Sequence, residues 1–132
     1  MARPASQVAI RYLPALVGAV AIFAVSSMSR PPIPEILEFW NSDKLLHAIA
    51  YAGLATLILI GARARTGHLG WSARLEAALG ATLYGMSDEW HQSFVPGRGM
   101  SSYDLIADTA GACLGAFVLG VLVLRRWPRQ PS

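Results

Sequence analysis

Lys44, His47 and Tyr51 stand at positions i, i+3 and i+7, so in a helix all three project from one face. Further along come Asp88, Glu89, His91 and Gln92, then Arg98 in a Pro-Gly-Arg turn, then Ser101, Asp104 and Asp108. Residues 88–108 hold four of the chain's eight acids. These types support three kinds of chemistry. An imidazole or carboxylate can act as a base beside an arginine that holds phosphate, as in a hydrolase or transferase on a lipid-linked substrate. The residues for that would be His47 and Glu89. Second, His47, His91 and acids such as Glu89 could ligate a metal, but the chain has neither an HxxxH nor an HExxH pattern, and no metal or cofactor is expected. Third, Lys44 and Arg98 could receive an anionic headgroup while the carboxylates meet amine or hydroxyl groups. With no GxSxG and no recognisable phosphatase spacing, binding is preferred to catalysis.

Each residue also has a structural reading. His47 could donate to the backbone or to Asp108. Asp88 and Glu89 could end a helix in headgroup water, and Tyr51 could anchor at the interface. Arg98 could hold a lipid phosphate or a nearby carboxylate. Ser101, Ser102 and Asp104 resemble helix N-cap residues. The expected ligand-binding set is Asp43, Lys44, His47, Tyr51, Asp88, Glu89, Gln92, Arg98, Asp104 and Asp108.

The elements that carry these residues are apolar. Of 132 residues 54% are hydrophobic and only 14% are charged, against about 25% charged in soluble domains. So small a chain has too little interior to hide that surface, and a membrane is the alternative. The net charge of +3 does not indicate nucleic acid, because the basic residues punctuate apolar blocks and form no polar face. The single cysteine, Cys113, excludes an intramolecular disulfide.

Four apolar segments follow in order, predicted as spans over residues 12–29, 45–62, 71–90 and 104–124. The first has a rival reading as a cleaved signal, since Ala24 and Ser26 are spaced for cleavage. Residues 30–43 hold three prolines with Phe39 and Trp40 and are read as an interfacial loop, with an amphipathic turn at residues 35–40. The third segment is the weakest, with Arg74 and Glu76 in its first turn. It carries a small-residue row, Ala77, Ala81 and Gly85, and the fourth carries Ala107, Gly111 and Gly115. Such rows let helix backbones approach closely in lipid. Eight of the eleven basic residues (Arg3, Arg11, Arg63, Arg65, Arg74, Arg125, Arg126 and Arg129) fall in the N-terminal lead, the 63–76 connection and the C-terminal tail. By the positive-inside rule both termini are cytoplasmic and both polar stretches face the other side. The expectation is an all-α, four-helix transmembrane bundle, one domain over residues 1–132, with a polar site at its outer face.

The blocks DKLLHAIAY and DEWHQSFVPGRGMSSYD resemble the VanZ-like family of small bacterial membrane proteins, at Asp43, Lys44, His47, Tyr51, Asp88, Glu89, Gln92, Arg98 and Asp104. The similarity covers roughly residues 12–124. It departs at Asp108, where family members commonly carry Asn. The resemblance implies a multi-pass protein of the bacterial inner membrane. The family's founding member is associated with low-level resistance to the glycopeptide teicoplanin. The function expected here is binding or handling of a cell-envelope lipid or lipid-linked precursor. A membrane-embedded hydrolase or transferase, and a helper subunit of a membrane complex, stand as alternatives. The partners expected are membrane lipid and either a second copy or a membrane-complex subunit.

Overall fold

The computed structural model describes residues 9–34, 36 and 42–126, and all of its regular structure is helical. Helix α1, Leu13–Ser26, carries Pro14 in its first turn, where the missing N–H costs nothing. Helix α2 is Ser42–Thr66 and α3 is Trp71–Gln92. Helix α4, Ser102–Leu114, passes through a π-helical turn at Gly115–Leu119 into α5, Gly120–Arg126. The last three form one 25-residue rod, about 37 Å long at the α-helical rise.

Two helices are long and apolar enough to cross a membrane, Ser42–Thr66 and Ser102–Arg126. Helix α1 is apolar but only 14 residues long, ending three residues before the expected limit. Helix α3 has the length, at 22 residues, but not the overall apolarity. The reason lies in its two faces. Trp71, Leu75, Leu79, Leu83, Met86 and Trp90 form an exposed apolar stripe. The opposite face buries Ala73, Ala77, Ala81 and Gly85, then Asp88, Glu89 and Gln92. The polar residues that lower its mean hydropathy point into the protein.

Helix α2 lies at the centre and packs against α1, α3 and α4. It starts at Ser42, so Asp43 and Lys44 stand in its first turn, and it runs past the expected limit through Arg63 and Arg65. Its inward side chains Leu54, Ala55, Leu59 and Ala62 form the middle of the core. The small-residue rows act as expected. A Cβ placed on Gly111 would lie 2.1 Å from the Ala48 carbonyl oxygen, and one on Gly115 would lie 2.2 Å from that of Ala52. Only glycine lets α4 come this close to α2. The turn expected at residues 35–40 lies, apart from Ile36, outside the described residues, as do Arg3, Trp127 and Arg129.

Candidate functional site

The polar residues of α2, α3 and α4 meet at one end of the bundle. Lys44 and His47 on α2 reach Asp104 and Asp108 on α4, where the acids lie one turn apart. Lys44 Nζ is 2.5 Å from Asp104 Oδ1 and also 2.5 Å from Asp43 Oδ2. One turn deeper, His47 Nδ1 is 2.8 Å from Asp108 Oδ1. The remaining ring nitrogen, Nε2, faces Asp104 Oδ2 at 4.0 Å. The i, i+3, i+7 spacing therefore sets up rungs of a ladder, and the third rung is Tyr51.

Tyr51 is almost fully buried, and its hydroxyl donates to Asp88 Oδ2 at 3.1 Å. The same oxygen accepts from Ser26 Oγ of α1 at 2.8 Å and from Gln92 Nε2 at 3.1 Å. Three helices thus contribute donors to one carboxylate oxygen. Tyr51 is not an interfacial anchor, and Asp88 and Glu89 do not end α3 in water; all three are buried.

Glu89 connects α3 to the start of α4. Its Oε2 accepts from the Ser101 backbone N–H at 2.8 Å, while Ser101 Oγ accepts from the Asp104 N–H at 3.2 Å and caps the helix. The N-cap role read from the sequence holds for Ser101, and Asp104 has the further role of pairing with Lys44. Between α3 and α4 the Arg98 N–H donates to the Val95 carbonyl at 3.0 Å, closing a turn around Pro96 and Gly97. Gly97 has φ 78°, the left-handed value that a type II turn needs at its third residue. That turn directs Arg98 back onto the site, where Nη2 donates to Gln92 Oε1 at 2.5 Å. The guanidinium bonds an amide and not a carboxylate.

A cavity of about 680 Å³ opens beside this ladder. Asp43, His47, Tyr51, Asp88, Gln92, Arg98 and Asp104 line it, so seven of the ten expected site residues reach it directly. Lys44, Glu89 and Asp108 stand behind them, each bonded to the network. The apolar part of the lining comes from Ala21, Ile22 and Val25 of α1 and from Leu46 and Ala50 of α2, with residues 31–34 contributing as well. His91 does not line the cavity; it bonds Ser27 at 3.0 Å and stacks on Phe23 with ring centroids 4.6 Å apart. Sequence reasoning missed Ser26, which both lines the cavity and bonds Asp88. Its sequence signal is a serine cluster, Ser26, Ser27 and Ser29, at the end of an apolar run.

No curated protein and no solved structure matches this chain. The VanZ/LLP1 family model matches residues 7–124, which takes in α1 to α4 and the whole of the polar network. With two long apolar helices besides, the protein is membrane-embedded and multi-pass. From the match and the network together, the chain belongs to the VanZ/LLP1 family.

Proposed function

We propose that the chain is a single bacterial inner-membrane domain that crosses four times with both termini in the cytoplasm, and that the cavity binds an anionic cell-envelope lipid or lipid-linked precursor. The outward stripe on α3 supports a third crossing, because an exposed apolar row of that length on a polar-cored helix fits lipid on one side and protein on the other. Helix α1 would complete the four, its exposed Leu13, Leu16, Val17 and Val20 facing the acyl chains. The basic residues at the end of the bundle opposite the site favour this orientation.

The observation that carries the binding reading is the mixed lining of the cavity. Part of it is aliphatic, and the rest offers a guanidinium, a carboxamide and several carboxylates. That division matches an amphiphile with a phosphate-bearing head and an apolar tail. Arg98 would take the phosphate, since a guanidinium offers five donors and Gln92 engages only part of them. If the family's link to teicoplanin resistance extends to this chain, this cavity is where it acts. The test is lipid co-purification with Arg98→Ala, His47→Ala, Glu89→Ala and Asp104→Ala. Loss of the bound anionic lipid with Arg98→Ala is expected, and unchanged lipid in all four variants overturns the proposal.

A further inference from the structure

Beside the cavity, one donor atom each from His47, Glu89 and Asp104 lies within 4.8 Å of the other two. These residues come from three different helices, which is why no linear spacing announced them. We propose that they form a binding site for a divalent first-row cation such as Mn²⁺ or Zn²⁺, with Asp108 as the residue that fixes the His47 ring.

Four observations carry this. First, the ring is oriented. Asp108 Oδ1 holds His47 Nδ1 at 2.8 Å, which directs Nε2 to the cluster. A carboxylate on the far nitrogen of a ligating histidine is the usual second partner at metal centres, fixing tautomer and raising basicity. Second, Glu89 is fully buried and has one oxygen, Oε1, without a partner among the described residues, while Oε2 is held by Ser101. A buried acceptor left open this way calls for a ligand. Third, Asp104 gives one oxygen to Lys44 and turns the other towards His47. Fourth, buried carboxyls outnumber the basic groups that reach them, which among the described residues are Lys44 and His47. Asp88, Glu89, Asp104 and Asp108 are all buried, yet the lysine ammonium is the only Lys or Arg cation paired with any of them among the described residues. Any of them that ionises at that depth beyond what Lys44 and His47 balance needs compensation, and a divalent ion supplies it.

One imidazole and two carboxylates suit Mn²⁺ or Zn²⁺ better than a soft thiophilic ion. Ligands about 2.0–2.2 Å from a shared ion sit closer together than these donors do, so the side chains draw inward on binding. His47 and Asp104 both line the cavity, so coordination positions not taken by protein would open towards it.

The site stands on these three side chains and does not need the lipid reading. The test therefore uses full-length protein in detergent with lipid removed. The chain is stripped with chelator, equilibrated with Mn²⁺ or Zn²⁺ alone and measured for metal content, with Mn²⁺ titration followed by electron paramagnetic resonance. One ion per chain is expected. Glu89→Gln should lose it, and Asp108→Asn should weaken binding about 10–100-fold, the usual cost of removing such a partner. His68→Ala, in the connection at the other end of the bundle, should bind as the parent does. A folded parent chain that takes up no stoichiometric ion overturns the proposal. So does a Glu89→Gln or Asp108→Asn variant that elutes as the parent does and binds with unchanged affinity. In either result the lipid measurements stand by themselves.

Discussion

At the scale of single residues, the polar end of the bundle is held by shared oxygens. Asp88 Oδ2 collects donors from Ser26, Tyr51 and Gln92. Removing one donor leaves two, so the loss is graded and not catastrophic. Tyr51→Phe should lower stability by about 0.5–1.5 kcal/mol, the usual net worth of one intramolecular hydrogen bond. Thermal unfolding in a fixed detergent checks it, and an unchanged midpoint would mean that the Tyr51 hydroxyl contributes nothing. Most of these residues were legible in the sequence because ionisable groups in an apolar segment must have a purpose. What they bonded to was less legible. Asp108 could be paired with His47 on reach alone, but an i, i+3, i+7 pattern names a face without naming its opposite. Arg98 looked like a carboxylate or phosphate partner and instead bonds Gln92. His91 shared a segment with Asp88 and Glu89 but leaves α3 on the side of Phe23.

At the scale of elements, the approach of α4 to α2 decides whether the site exists, because Lys44 and His47 must reach Asp104 and Asp108 across that seam. Gly111→Ala puts a Cβ into the backbone of α2 at Ala48. It should cost about 1–3 kcal/mol, as overpacking usually does. Gly53→Ala on α2 is the contrast, since a Cβ there meets nothing within 4 Å and should gain roughly 0.5–1 kcal/mol. Equal effects from the two in parallel unfolding measurements would sink the close-approach argument. The seam itself was readable from the GxxxG spacing. The π-helical turn was not. The buried positions Gly111, Gly115, Gly120 and Leu124 are spaced four, five and four, and the wide turn absorbs the extra residue so that the lower half of the rod still faces α2. Helix α3 shows the reverse problem. Averaging hydropathy around it hides an apolar stripe and a polar face that are each unambiguous alone.

At the scale of the whole molecule, the fold class follows from composition, whereas the number of crossings needs more than composition. The four-crossing topology predicts that the loop after α3 and the connection after α2 lie on opposite sides. In a Cys113→Ser background, Met100→Cys should react with a membrane-impermeant maleimide on intact cells, and His68→Cys only after permeabilisation. Equal labelling of both positions would discard the topology. The four segments were visible because each apolar block is bounded by charge or proline. The cavity was not visible, because part of its apolar lining comes from α1, whose sequence reads like any lipid-facing segment.

The three-donor oxygen of Asp88 also bears on how such a chain can be made. Synthesis runs from the N-terminus, so earlier segments are available to fold first. Ser26 and Tyr51 both precede Asp88, and Lys44 and His47 both precede Asp104 and Asp108. Each of these acids is therefore made after at least one of its partners on an earlier helix. Two bonds look forward, from Asp88 to the Gln92 amide four residues on and from Glu89 to the Ser101 amide twelve residues on, and both partners follow closely in the chain. The order of residues along the chain is thus also an order of assembly, in which earlier helices form the receptor for the charges of later ones.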